Sequence, residues 1–444
     1  MSSTLFAGQP GATLVRAANA RSRLSMERLR VLMATPFPRP IPRGGIEAAA
    51  AQLAHALAAE PTLDLHLAAV HPTVRRPSVE RRPGLTLHWL PRWRRLSTLQ
   101  LLSVAALQLH QLARRLEPDV LHAQGPTGFS LAAQWSARPL VVTIHGLEMF
   151  SPGSPSTPAL RTFAGPLGRT RRRAATLVMD LQLQRAAATI CISPYVEHLL
   201  GPRLARTETF RIDNPVDPAF FGLPPAPGGA TILSVATIGE LKNQLLLVRA
   251  FGQVAQQCPA SRLVLAGPTA DAAYQARVET LITSLGLGAR VHLVGQAAPD
   301  QLQQLYAKAD VVALSSIQET APLAVAQALA AGRPVVATDV GGLRWLVDDQ
   351  HTGLLVPSQD TARLASALAA LLGDPERRRA MGQRARATAQ ARFHPAQVAA
   401  QTLAVYRHVL QHDAVNQHVL QHGGVDQHVG HPDDDQAEAA RCAC

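Results

Sequence analysis

Glu319 and Lys242 are the two charged residues best placed in this chain to act on a bound molecule. From Ser315 to Val336 the sequence reads as the end of a strand, a polar loop holding Glu319, a helix, a glycine stop at Gly332 and a following strand. A carboxylate in such a loop can orient hydroxyl groups, and the N–H groups of Thr320, Ala321 and Leu323, gathered at the helix N-terminus, suit an anion. Gln327, two helical turns beyond Glu319, is expected on the same side, with an amide able to bond hydroxyls. Lys242 follows the strand-like Ser234-Val235-Ala236-Thr237 through a loop, and its compact, mobile cation suits a diphosphate. Of the 43 basic residues only Lys242 and Lys308 are lysine, so a chain that writes arginine elsewhere keeps lysine at this loop; with two lysines, chance explains the same fact.

The first half offers two more stretches. In Pro42-Arg43-Gly44-Gly45-Ile46-Glu47, ahead of the helical Ala48 to Ala59, Gly44 and Gly45 let backbone N–H groups approach a ligand. His145-Gly146 follows the strand-like Pro139 to Ile144, which sets the imidazole at a strand's C-terminal end. Each has a plainer reading: a glycine pair makes an ordinary turn, and a lone histidine is more often structural than catalytic.

These positions need a frame that brings strand ends together. Short β-branched runs alternate with Ala/Leu helical patterns in two series, the signature of βα units around parallel sheets. The first series holds runs at 31–34, 65–70, 120–122, 141–144 and 189–192; the second holds runs at 231–236, 262–266, 290–294, 310–314 and 335–338. Asn214-Pro215-Val216-Asp217-Pro218 and the Pro/Gly-rich Leu223 to Gly229 break backbone hydrogen bonding between them. The expected fold is α/β, with two doubly wound Rossmann-like domains facing across a cleft, 26–214 and 215–395, followed by a C-terminal helix over 396–410. Ligands bind such sheets at the strands' C-terminal ends, so the cleft is the expected site.

A chain of 444 residues with 47% apolar and 17% charged side chains can bury two ordinary cores. Cys191, Cys258, Cys442 and Cys444 are too scattered for a disulfide framework, which fits a reducing cytoplasm. No run reaches about 18 uninterrupted apolar residues, so no transmembrane helix is expected. The net charge of +12 sits in one half: residues 1–222 hold 26 Arg and 13 acidic residues, the remainder 17 basic and 18 acidic. That half suits an anionic membrane surface, a phosphate-bearing acceptor or nucleic acid, and an arginine-rich composition explains it equally. Nucleic acid is set aside, because no recognition motif or interleaved aromatic pattern accompanies the charge.

Three segments have two readings each. Pro91-Arg92-Trp93-Arg94-Arg95 with Leu96 to Leu112 could lie on an anionic membrane, although a sheet-packing helix accounts for the same spacing. Residues 1–25 superficially match a transit peptide; the duller expectation is a disordered extension ahead of a start at Met26. Residues 411–444 continue a repeat of His408-Val409-Leu410-Gln411-His412 as His418-Val419-Leu420-Gln421-His422 and end in Cys442-Ala443-Cys444. This low-complexity tail could hold a soft or borderline metal, and a duplicated tail without function is the plainer expectation.

Taken in order, several pieces resemble the retaining glycosyltransferases of the GT-B fold, family-4 type, also called group 1 glycosyl transferases. They are the Gly44-Gly45 loop, Asp119-Val120-Leu121-His122-Ala123, Thr143-Ile144-His145-Gly146, Asn214-Pro215-Val216-Asp217, the Lys242 loop, and the Glu319 helix with Gly341-Gly342 after it. The resemblance covers Arg30 to Leu410. It implies transfer of a sugar from a nucleotide-diphosphate sugar to a glycan or lipid-linked acceptor with retention of configuration, and no essential metal or other cofactor. By it, Glu319 matches the first glutamate of a Glu-x(7)-Glu motif that contacts the donor sugar, and Gln327 occupies the second, which holds the ribose hydroxyls. Glutamine pairs with a diol without charge assistance. Thr237 stands where many members carry an arginine that shares the diphosphate with the lysine. Lys242, the helix N-terminus and the Gly44-Gly45 backbone then carry more of that load, while His145 contacts sugar or acceptor from the opposite domain. Polysaccharide or glycolipid assembly, in the cytoplasm or at the inner face of the membrane, is the family's commonest setting. Two rivals share the fold: a nucleotide-sugar epimerase, which needs no acceptor, and a catalytically impaired glycosyltransferase-like scaffold, which Thr237 and Gln327 encourage.

Overall fold

The computed structural model describes residues 28–35, 44–71, 74–91, 98–125, 138–146, 176–177 and 179–422. The expected extension over 1–25, the start at Met26, the basic residues Arg92 to Arg95 and the tail beyond His422 lie outside the described residues.

Two sheets organise the chain. The first is built from β1 (Leu29–Thr35), β2 (Leu63–His71), β3 (Ser78–Arg82), β4 (Leu85–Pro91), β5 (Val120–Gln124), β6 (Leu140–Ile144), β7 (Ala188–Cys191) and β8 (Glu208–Arg211). Its order is β3-β4-β2-β1-β5-β6-β7-β8. The second is built from β9 (Thr231–Val235), β10 (Arg262–Ala266), β11 (Val291–Gly295), β12 (Val311–Leu314), β13 (Val335–Thr338) and β14 (Gly353–Val356), in the order β11-β10-β9-β12-β13-β14. All pairings are parallel except that of β3 with β4. Strands β5, β6, β7, β12 and β13 are buried along their whole length. Covered on both faces, parallel strands carry apolar side chains at nearly every position, which is why they read as short runs in the sequence.

The helices that matter here are α1 (Gly45–Ala58), α2 (Thr98–Leu116), α3 (Pro194–Leu200), α4 (Gln244–Gln257), α5 (Ala272–Ser284), α6 (Pro299–Lys308), α7 (Leu323–Ala330), α8 (Thr361–Gly373), α9 (Pro375–Phe393) and α10 (Pro395–His422). Ala106, Leu109 and Ala113 of α2 are buried in one cluster with Leu32, Leu121 and Val142, so that face covers the first sheet. Strands β3 and β4 form a hairpin around Pro83-Gly84 that the apolar runs did not announce. Gly84, at φ +69°, sits so close to α1 that a Cβ would meet the Ala58 carbonyl oxygen at 1.9 Å. The hairpin therefore turns only with glycine there.

The strand order switches direction between β1 and β5 in the first sheet and between β9 and β12 in the second. At such a point the connections leave in opposite directions and open a crevice at the strands' C-terminal ends. Gly44-Gly45 follows β1 and Gln124 ends β5, while Lys242 follows β9 and Glu319 follows β12.

The chain crosses between the halves near 212–217 and 393–395. The Val216 N–H donates to the Phe393 carbonyl at 3.0 Å, and Arg392 grips Asp213 with two bonds of 3.0 and 2.9 Å. The Pro/Gly-rich linker is fixed to the second domain. Buried Asp310 accepts from the N–H groups of Gly228 and Thr231 at 2.7 and 2.9 Å, and buried Arg333 donates to the Pro224 carbonyl at 2.7 Å. Helix α10 then returns to the first domain, where Val398, Ala399, Leu403, Tyr406 and Val409 join Val31, Leu57 and Leu65 in one cluster. Each buried Val or Leu among them contributes about 1.5–3 kcal/mol, enough to make α10 part of that core. It runs beyond Leu410 to His422, so the segment expected to be a tail from residue 411 begins as helix. No Gly or Pro interrupts the sequence between Ala396 and His422, which removes the usual stop signals.

Candidate active site

Lys242 closes a short 3-10 turn, and Asn243 after it adopts the left-handed region at φ +48°. The Ser315 hydroxyl reaches the carbonyl oxygens of Lys242 and Asn243 at 3.0 and 2.9 Å, and the Ile317 N–H donates to the Leu241 carbonyl at 2.8 Å. These bonds lace the loop after β9 to the loop after β12. The lacing brings Lys242 Nζ to 2.6 Å from Glu319 Oε1, and the Ser316 hydroxyl donates to the same oxygen at 2.6 Å. Glu319 is only 6% exposed, so its charge depends on these two donors. Ser316 was not among the residues singled out in the sequence; its place three positions before Glu319 gave the only signal.

A glycine pair shapes the Glu319 loop from behind. The Gly342 N–H donates to the Glu319 carbonyl at 2.9 Å. A Cβ on Gly341 would stand 2.0 Å from the Glu319 carbonyl oxygen, and one on Gly342 1.7 Å from that of Thr320. Helix α7 starts at Leu323 behind the capping Pro322. Thr320 and Ala321 lie just ahead of the helix, and the N–H groups of Leu323 and Ala324 open it. Proline sets this boundary, because it favours extended backbone in the residue before it. Gln327 lies one turn into α7 rather than two turns beyond Glu319 on a shared helix face. It is buried, with Oε1 3.3 Å from the Tyr306 hydroxyl, which also donates to the Ala324 carbonyl at 2.8 Å. The Thr237 carbonyl accepts from Gln244 Nε2 at 3.0 Å, which fixes the backbone ahead of Lys242.

The first domain faces this surface closely. Gly44 caps α1 and Gly45 opens it, and a Cβ on Gly45 would lie 3.6 Å from the Leu323 Cβ. A Cβ on Gly146 would lie 4.0 Å from Thr320 Oγ1, and the Ser193 hydroxyl donates to the Thr320 carbonyl at 3.2 Å. Thus Gly45 and the backbone beside His145 meet Thr320 and Leu323 across the cleft, with Lys242 and Glu319 paired beyond. Gln244 holds the Thr237 carbonyl, and Tyr306 holds Gln327.

His145 is 9% exposed, and its Nε2 lies 2.7 Å from Gln124 Oε1. An amide oxygen only accepts, so Nε2 carries the proton and Nδ1 is left as an acceptor. Among the described residues Nδ1 is buried with no partner at hydrogen-bond geometry, although the Asn214 side chain is near enough to act on the ring. Behind it, Gln124 Nε2 stands 3.1 Å from His122 Nε2, and His122 Nδ1 lies 2.5 Å from the Tyr406 hydroxyl on α10. Sequence reading marked His122 within a motif but passed over Gln124 and Tyr406. Burial pushes His145 down to about 4, with the Asn214 amide opposing, and pushes His122 down to about 3, helped by His145. Burial likewise lowers His88 to about 4. His145 is therefore a neutral acceptor at ordinary pH.

These lowered values carry a stability signature. All three histidines start from 6.5, so below that pH the unfolded chain takes up protons that the folded one refuses. Their stabilising effect is complete above pH 6.5 and is lost as the pH falls toward about 4 for His88 and His145 and about 3 for His122, at up to about 1.4 kcal/mol per pH unit for each of the buried His122 and His145. Denaturant midpoints measured across that window should fall steadily; a flat profile would show that the rings are not buried neutral.

Comparison with known proteins bears on family and fold. The family described as Glycosyl transferases group 1 matches residues 217–388, and that described as Glycosyltransferase Family 4 matches residues 43–220. The D-inositol 3-phosphate glycosyltransferase of Kineococcus radiotolerans is 32% identical over 350 residues, 70% of this chain and 77% of that one. The protein of the same name from Nocardia farcinica is 41% identical over 165 residues, a match that spans 36% of each chain. Among solved structures, sucrose-phosphate synthase from Thermosynechococcus elongatus gives a TM-score of 0.72 at 24% identity, over 87% of this chain and 100% of that chain. Anabaena HepE in complex with UDP-glucose gives 0.64 at 20% identity, over 85% and 100%. At such identities the two structures speak for the fold alone.

Proposed function

Since the chain belongs to the group 1 glycosyl transferases of family-4 type, with two facing α/β domains of the GT-B fold, we propose that it moves a sugar from a nucleotide-diphosphate sugar to an acceptor with retention of configuration. The observation that carries this reading is the Lys242–Glu319 pair at the second sheet's crevice, beside Thr320 and Leu323, which lie against Gly146 and Gly45 of the first domain. Departure of a nucleoside diphosphate leaves negative charge on the phosphate and oxocarbenium character on the sugar. Positioning and fixed electrostatics answer both demands. Lys242, the opening N–H groups of α7 and the Gly44-Gly45 backbone receive the diphosphate. Glu319 orients the sugar hydroxyls, and the Nδ1 of His145 accepts from a hydroxyl of sugar or acceptor. Attack comes on the face the diphosphate leaves, with a phosphate oxygen taking the acceptor's proton. No protein nucleophile and no metal are needed.

UDP-sugars are the first donors to try, since HepE is bound to UDP-glucose. Phosphorylated polyols are the first acceptors, because the relatives act on D-inositol 3-phosphate by name and the first half carries the arginine excess. Glycan and lipid-linked acceptors, the latter with anionic vesicles, come second. Incubation of donor, acceptor and excess chelator, read by NMR at the anomeric carbon, should give product with the donor's own configuration. An inverted product, or transfer abolished by chelator, contradicts the mechanism; isomerised donor without acceptor would indicate an epimerase.

A further inference from the structure

We propose that Glu208, His408 and His412 form a divalent transition-metal site that fastens α10 to the edge of the first sheet. His408 and His412 stand one turn apart on α10, the spacing that sets two imidazoles on one helix face, and their ring centroids are 4.4 Å apart. Glu208 opens β8, and its Oε2 bonds His408 Nε2. One ligand atom from each of the three lies within 4.8 Å of the others. Modest side-chain rotation reaches the bonds of about 2.0–2.2 Å that Zn2+ makes to imidazole and carboxylate. The Phe210 ring meets His408 edge-on at 5.4 Å between centroids and limits its rotation. Glu208 and His412 are exposed, which leaves room for water to complete the coordination. Two imidazoles and one carboxylate are a donor set for Zn2+, Ni2+ or Cu2+, whereas Mg2+ and Ca2+ favour oxygen alone.

The site stands apart from sugar transfer. Glu208 pairs with Ala188 at the start of β7, while His145 follows Ile144, which pairs with Cys191 at the other end of the same strands. Metal and cleft therefore occupy opposite ends of the sheet. The consequence is mechanical. Helix α10 continues directly from the second domain and carries Tyr406, the partner of His122, two positions before His408. A metal bound only by the folded arrangement stabilises it by mass action.

The His-x(3)-His spacing recurs at His418 and His422, so the test must separate the two pairs. The full chain, free of affinity tags and stripped with chelator, is titrated with Zn2+ while melting temperature and binding are followed. Zn2+ should raise the melting temperature. Glu208→Gln and His408→Ala should each weaken Zn2+ affinity about tenfold or more. The double variant His418→Ala/His422→Ala should keep both affinity and stabilisation. Melting each variant without metal shows that it is folded before titration. Stabilisation unchanged in Glu208→Gln, lost in the His418/His422 variant, or absent from the parent chain overturns the proposal.

Discussion

Lys242→Ala is expected to lower transfer from a nucleotide sugar by about 100- to 1,000-fold, the range for removing one fixed donor aimed at developing negative charge. Two effects combine. The leaving diphosphate loses its cation, and the Glu319 carboxylate, nearly sealed from solvent, keeps among the described residues only the Ser316 hydroxyl as a side-chain donor. The second effect costs stability, about 1–3 kcal/mol for a buried acceptor stripped of a partner. Combining Lys242→Ala with Glu319→Gln distinguishes them, because the neutral amide no longer needs a counter-charge. Melting temperature should recover in the double variant while kcat/KM stays low. Recovery of the rate would show that transfer needs neither the Lys242 cation nor the Glu319 carboxylate.

Gly342→Ala is expected to be nearly as damaging, although it touches no proposed substrate group. Its Cβ would stand 1.7 Å from the Thr320 carbonyl oxygen, and the backbone there is pinned by the Gly342 N–H bond to Glu319. Backbone on both sides leaves no flexible side chain to yield. The loop must shift, and displacing Glu319 and the start of α7 by about 1 Å can cost about 100-fold in rate. Overpacking adds about 1–3 kcal/mol of destabilisation. Gly373→Ala is the control, since nothing lies within 4 Å of a Cβ at that position. Steady-state kinetics and thermal melts of both variants decide it; a Gly342→Ala enzyme with normal kcat would show that the loop's position does not govern the chemistry.

The frame of the protein was legible because parallel strands buried on both faces write themselves as apolar runs. The β3–β4 hairpin was not: Val79 is exposed between Ser78 and the charged Glu80-Arg81-Arg82, so no apolar run marks β3. Glu319 and Lys242 were legible as residue types at strand ends. That they bond to each other was not, because 77 residues separate them and only the lacing by Ser315 and Ile317 brings them together. Gln327 shows the same limit. Spacing sets its position on the helix, but its neighbour Tyr306 comes from α6, and no periodicity within 315–336 could name it. The polar chain behind His145 draws on β5, β6 and α10, three elements far apart in sequence, so Gln124 and Tyr406 were silent as single residues.

A donor bound between the two crevices must touch both domains at once, and hydrogen–deuterium exchange reads that directly. With a saturating nucleotide sugar, exchange should slow together in the segments 44–47, 237–243 and 316–324, and Lys242→Ala should lose that protection at the same donor concentration. Protection confined to one domain, or equally strong in Lys242→Ala, would contradict a donor site shared across the cleft.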